Sequence, residues 1–232
     1  MIMETISDRL ANIRERIATA ALRSGRNPED IEIVGVTKTV SPERVAEAVR
    51  AGLRLLGGNY IQESLEKISA LSGFDVSWHF IGRLQSNKAK TAVQHFDLIH
   101  SVDTFRLAAE ISRQGARHNK VQPILVQVNT GGEASKAGVP PNEAIDIVKR
   151  VSELDHIMVC GLMTMPPFFD APERVRPFFR ALNDLKKRIE DRAMENVAMD
   201  VLSMGMTGDF EVAVEEGATH VRIGTAIFGD RP

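Results

Sequence analysis

IEIVGVTKTVSPERVAEAVRAG, residues 31–52, reads as one strand followed by one helix. Residues 31–39 form an apolar, β-branched run too continuous for a strand with one wet face, which predicts a strand buried on both sides as in a parallel sheet. Ser41-Pro42-Glu43 then opens a helix, with an N-cap residue followed by proline at the first position, and Gly52 closes it. The same unit recurs downstream with different sequence. Strand-like runs fall at LRLLG (53–57), SWHFIG (77–82), LIHSV (98–102), PILVQVN (123–129), IMVCGLM (157–163), DVLSMG (200–205) and HVRIG (220–224). Helical stretches lie between them, near 60–70, 86–94, 104–115, 141–153, 171–192 and 208–216. With residues 31–39 this makes eight strands in strict β-then-α alternation, the pattern of a TIM-type (β/α)8 barrel in the α/β class rather than a doubly wound sheet. Upstream, residues 4–22 place Ile6, Leu10, Ile13, Ile17 and Ala20 on one face, an extra amphipathic helix ahead of the first strand. Only TAIFGDRP follows the eighth strand, too short for a full helix, so the N-terminal helix is spare to cover that gap. No Ser/Gly/Pro-rich tract divides the chain, and residues 1–232 are read as a single domain.

The composition narrows the class. With 43% hydrophobic residues in 232, the chain can bury a full core. A formal net charge of −2, without a dense Lys/Arg block, argues against a nucleic-acid surface and against a polybasic membrane patch. The single cysteine, Cys160, rules out an intramolecular disulfide and a Cys-rich metal site, and the six histidines show no H-E-x-x-H spacing, so no metal site is expected. The first 23 residues are charged throughout, unlike a signal peptide or a spanning segment, and a cytoplasmic location is the plain reading.

In a β/α-barrel the active face is built from the C-terminal ends of the strands and the loops that follow. Of nine lysines, eight fall in expected helices or loops, and only Lys38, in V-T-K-T, stands at the end of a buried strand. There, desolvation is expected to lower the pKa of the amine and favour the neutral form that a Schiff base requires. The ends of the seventh and eighth strands supply Ser203, Gly205, Thr207 and Gly208, then Gly224 and Thr225. Glycines allow close backbone approach, and N–H groups with hydroxyls donate to phosphate oxygens. These two loops are where barrel enzymes commonly hold phosphate. Arg222 lies between Val221 and Ile223 in the last strand, a poor place for a charge unless it pairs with Asp209 or Glu211 or faces a cofactor. A guanidinium beside a pyridine nitrogen keeps that nitrogen unprotonated and weakens the ring as an electron sink. Lysine, phosphate cradle and arginine together describe a site for pyridoxal 5′-phosphate (PLP).

Six motifs carry a resemblance: V-T-K-T around Lys38, G-N-Y-I-Q-E (58–63), W-H-F-I-G-R-L-Q-S-N-K (78–88), G-L-M-T (161–164), L-S-M-G-M-T-G-D (202–209) and V-R-I-G-T-A-I-F-G (221–229). In this order they resemble the pyridoxal phosphate homeostasis protein family, whose fold is similar to the barrel domain of alanine racemase. The resemblance implies a Schiff base on Lys38, phosphate held by Ser203, Gly224 and Thr225, Arg222 facing the pyridine nitrogen, and Asn59 near the cofactor. It also implies a monomer that stores, buffers or delivers PLP, with apo forms of PLP-dependent enzymes as recipients and no catalytic residue. The family usually has G-E-N-Y where this chain has Gly58 before Asn59-Tyr60, and binding is expected to survive that departure.

Two other classes stay open on the residues alone. A PLP-dependent racemase or decarboxylase fits the cofactor, but racemisation needs a second base, and Tyr60 is the only tyrosine. A phosphosugar barrel with Lys38 as its Schiff-base lysine fits the loops. Among weaker signals, His79 is read either as packing near the cofactor ring or as a hydrogen-bonded core histidine, Met163, Met204 and Met206 either as lining the pocket or as filler, and Cys160 as an inert core residue.

Overall fold

The computed structural model describes residues 4–133 and 136–229. Eight parallel strands close into a barrel in chain order, with the last pairing the first. They are β1 (Glu32–Val36), β2 (Leu55–Gly58), β3 (Ser77–Phe80), β4 (Leu98–Val102), β5 (Gln122–Gln127), β6 (Ile157–Met163), β7 (Val197–Met206) and β8 (His220–Ile223). The helices are α1 (Ile6–Arg23), α2 (Pro42–Arg50), α3 (Ile61–Ala70), α4 (Ala89–His95), α5 (Phe105–His118), α6 (Ala144–Ser152), α7 (Arg176–Glu190), α8 (Phe210–Glu215) and α9 (Thr225–Phe228). The expected strands and helices are all present, with shifts at their ends. The helix expected over 171–192 begins as a 3-10 turn, Pro172–Val175, before α7 proper.

α1 closes the structure where the sequence leaves a gap. Thr5 and Asp8 form a reciprocal capping box, which satisfies two backbone donors at the helix start. Its buried stripe of Ile6, Leu10, Ile13, Ile17, Ala20 and Ala21 lies against α8 and α9, in the place of a full eighth helix. The polar rim supports the same docking. Arg16 stacks over the Phe210 ring at 4.6 Å and pairs with Glu211 at 2.8 Å, and Arg26 donates to the carbonyls of Val214, in the last turn of α8, and of Ala218 beyond it.

The main apolar core fills the layer between strands and helices. Inside the barrel, a small cluster of Leu98, Leu125 and Met163, with Cys160 and Val201 against it, accompanies a polar group. That group comprises His79, His100, Ser203 and Arg222, all buried, with His220 against them. A barrel interior is ordinarily filled by Val, Ile and Leu, so these polar residues mark the interior as more than packing. Among the described residues no helix is long and apolar enough to cross a membrane, and no cluster of His, Cys, Asp and Glu is arranged to hold a metal.

Candidate functional site

Lys38 sits in the turn that leaves β1. Thr37 donates its N–H and its hydroxyl to the Gly57 carbonyl, at 3.0 and 3.1 Å, which extends the β1–β2 pairing by one residue. The Val40 N–H closes the turn on the Thr37 carbonyl at 3.0 Å. Lys38 and Thr39 are its two central residues, and Thr39 has φ +62°. Turns with a left-handed third residue ordinarily put glycine there. For a β-branched residue that conformation costs about 1–2 kcal/mol. The Lys38 side chain is half-buried, so the burial expected from the sequence is only partial.

Lys38 borders two adjoining cavities. The first, about 230 Å³, brings Lys38 together with Arg222, Gly224 and Thr225, adds Thr207 and Gly208 from the loop after β7, and is walled by Val36, Phe168, Phe169 and Met206. The second, about 210 Å³, shares Val36, Lys38, Gly224 and Thr225 and extends to Ser41, Arg44 and Phe228. Gly224 and Thr225 open α9, and the first N–H groups of a helix have no acceptor within it. Among the described residues, its chain neighbours aside, nothing stands within 4 Å of the place a Gly208 Cβ would take. The donor set here is therefore an amine, two threonine hydroxyls, backbone N–H groups beside glycine and a guanidinium. That is the chemistry that fits a phosphorylated aldehyde with a ring nitrogen. Asp209, the one carboxylate on the first cavity among the described residues, is turned back to accept the Met206 N–H at 2.6 Å, and burial raises its pKa.

Arg222 does not pair with Asp209 or Glu211; Glu211 is engaged with Arg16. Arg222 is 4% exposed, and its guanidinium donates to the Ser203 hydroxyl at 2.6 Å and to the Thr164 carbonyl at 2.9 Å. Burial pushes its pKa down to about 10, with Asp209 opposing, so it stays cationic at neutral pH. Ser203 Oγ lies 2.9 Å from His100 Nδ1, and His100 Nε2 lies 3.0 Å from His79 Nδ1. Arginine can only donate. One arrangement satisfies every group: Arg222 donates to Ser203, Ser203 to His100 Nδ1, and His100 Nε2–H to His79. Burial, then the neighbouring His220, pushes the His79 pKa down to about 3. Burial likewise pushes His220 to about 4 and His100 well below its ordinary value. The three rings are neutral at neutral pH.

The structure thus brings Lys38, Arg222, Gly224 and Thr225 to one cavity. Ser203 is fully buried inside the barrel and meets the site through Arg222, its hydroxyl already engaged with Arg222 and His100. Gly205, at φ +92°, stands at the end of β7 against α8, where a Cβ would come within 2.5 Å of the Ala213 Cβ. Asn59 borders a separate cavity of about 120 Å³ with Tyr60, Arg83 and Lys88, and its buried Oδ1 has no partner among the described residues. His79 is a hydrogen-bonded histidine of the barrel interior. His100 and His220 gave no sequence signal, because one histidine in a strand means nothing until closure places three together. Lys67, placed with the ordinary helix lysines by its position, is 4% exposed in α3.

Gly58 is explained by its neighbour. A Cβ there would meet Ser64 Oγ at 2.1 Å and Ser64 Cβ at 3.1 Å, so the serine occupies the space. Gly58→Glu is expected to destabilise the fold by about 1–3 kcal/mol through overpacking, and Ser64→Gly in the same chain to recover most of the loss. Urea unfolding of the single and double variants checks this. A well-tolerated Gly58→Glu would contradict the tight fit.

The fold and the site first define a class. The family model described as "Alanine racemase, N-terminal domain" matches residues 9–232. Consistent with that fold, an alanine racemase of Clostridium difficile superposes with a TM-score of 0.77 at 15% identity, over 99% of this chain and 58% of that one. Full-length relatives are closer. The pyridoxal phosphate homeostasis protein of Aquifex aeolicus is 46% identical over 97% of both chains, and that of Escherichia coli K12 is 38% identical over 99% of this chain and 98% of its own. PipY of Synechococcus elongatus, solved with PLP bound, superposes with a TM-score of 0.84 at 33% identity, over 97% of this chain and all of that one. The chain belongs to the pyridoxal phosphate homeostasis protein family.

Proposed function

We propose that this protein binds PLP covalently through Lys38 and serves its intracellular homeostasis, by storage, buffering or delivery, without catalytic turnover. The observation that carries the reading is the meeting of Lys38, Arg222, Gly224 and Thr225 on one cavity. When bound, PLP would supply an aldehyde, and Lys38 would be the amine that holds it. The N–H groups at Gly224 and Thr225, with the Thr207 hydroxyl, take the phosphate. Arg222 offers N–H donors to the ring nitrogen, and since it cannot accept a proton it favours the unprotonated pyridine. Ser203 and Thr164 hold that guanidinium in place. Gly205 lets the end of β7 pack closely on α8, and Asn59 keeps a buried amide oxygen, unpartnered among the described residues, on the separate cavity beside Tyr60.

Absence of turnover is supported by what lines the cavities. A racemase needs a base on each face of the reacting carbon. Besides Lys38, the titratable groups on the two cavities among the described residues are Asp209, Arg44 and Arg222. Asp209 is committed to the Met206 N–H, and Tyr60, 62% exposed, lines neither cavity. The reading extends to a cytoplasmic monomer whose recipients are apo forms of PLP-dependent enzymes. The test is the visible spectrum of the purified protein with added PLP, before and after borohydride, with the reduced adduct mapped by mass spectrometry. A yellow band fixed by reduction onto the Lys38 peptide is expected. A protein that stays colourless would overturn the reading in favour of a sugar-phosphate barrel, and steady racemisation or decarboxylation of amino acids would overturn the carrier role.

A further inference from the structure

The turn that presents Lys38 is held from outside the cavity by two residues of α3. Glu63 Oε1 accepts the Thr39 N–H at 2.6 Å. The same oxygen accepts from Lys67 Nζ at 2.6 Å, and Lys67 Nζ also donates to the Thr37 carbonyl at 2.5 Å. One ion pair therefore grips the backbone on both sides of residue 38. Neither side chain lines the two cavities beside Lys38.

An i,i+4 pair on a helix is ordinarily a solvated surface feature of small consequence. This one is different in two respects. The Lys67 side chain is 5% exposed, and a buried ammonium is tolerated only when its donors are used. Its partners here are a carboxylate and a main-chain carbonyl of the turn. Thr39, moreover, holds a conformation unfavourable to a β-branched residue, so the turn needs an external tie that glycine would not.

We infer that Glu63 and Lys67 form a clamp on the Thr37–Val40 turn and act as positioning residues for the Lys38 amine. The inference rests on the reading of Lys38 as the cofactor lysine, and its test has one arm that needs no cofactor. In cofactor-free protein, amide exchange within residues 37–40 is expected to be about tenfold faster in Glu63→Ala than in the wild type, with exchange in β4 to β6 unchanged. Glu63→Gln keeps an acceptor for the Thr39 N–H and is expected to recover most of this. In an absorbance titration, Glu63→Ala and Lys67→Met are each expected to raise the Kd for PLP about tenfold, with Glu63→Gln closer to the wild type.

Unchanged exchange at 37–40 in Glu63→Ala, or exchange accelerated equally throughout the barrel, would overturn the clamp. Loosened exchange with unaltered PLP affinity would overturn its positioning role. Should Glu63→Ala fail to fold, Glu63→Gln against Lys67→Met carries the same comparison. A wild type that takes up no PLP would remove the proposed function, while the exchange arm would still decide whether the clamp exists.

Discussion

Lys38→Ala is expected to yield a folded barrel that takes up no covalently bound PLP. The side chain donates no hydrogen bond to the described protein and is half-buried, so its removal should change unfolding stability by no more than about 0.5 kcal/mol. The effect on binding is far larger. No other lysine borders either cavity at the mouth, so the borohydride-fixed adduct should vanish entirely. The phosphate and ring contacts remain, so weak reversible binding survives, reduced on the order of 100-fold, or ~3 kcal/mol. Absorbance titration and intact mass after reduction measure the two quantities separately. An adduct that persists on another lysine would show that the covalent site had been misplaced.

Acidification is expected to unfold the protein well above the pH at which its carboxylates are neutralised. His79, His100 and His220 are neutral in the folded barrel, with pKa values pushed to about 3 for His79, about 4 for His220 and far down for His100. In the unfolded chain each titrates near 6.5. Between those limits the unfolded state binds more protons, so stability falls with falling pH. The loss begins at the unfolded value and runs to the folded one. Each histidine contributes a slope of about 1.4 kcal/mol per pH unit. Going from about pH 6.5 to 4.5 thus removes roughly 2 kcal/mol for each of His79 and His220, with His100 acting in the same direction, against a typical total stability of about 5–15 kcal/mol. Urea unfolding at about pH 7, 6 and 5 should show this slope, and His220→Gln should make it shallower. A profile that is flat down to about pH 5 would mean that the rings take up protons in place.

The barrel was legible because buried parallel strands read as unbroken apolar runs, and eight of them recur in register with helices. Lys38 and Arg222 were legible for the opposite reason: each is a charge where that pattern leaves no room for one. The supporting residues were not. Ser203 has the composition of a phosphate ligand, and only its inward direction from β7 shows that it serves Arg222. His79, His100 and His220 come from three strands, and their contact exists only after closure. Lys67 and Glu63 look like any helix pair four residues apart. Their significance lies in the carbonyl and amide they reach, which no helical pattern encodes. Gly58 looked like a missing carboxylate and is better described as space given to Ser64.

The docking of α1 on α8 has a bearing on how the molecule is made. Arg16 and Glu211, which join the two helices, stand 195 positions apart. At a synthesis rate of about 5–20 residues per second, the ribosome needs roughly 10–40 s to pass from one to the other. For that whole interval Ile6, Leu10, Ile13 and Ile17 lack the part of their native packing that α8 provides. Of the two helices that meet at this seam, α1 is made well before its partner.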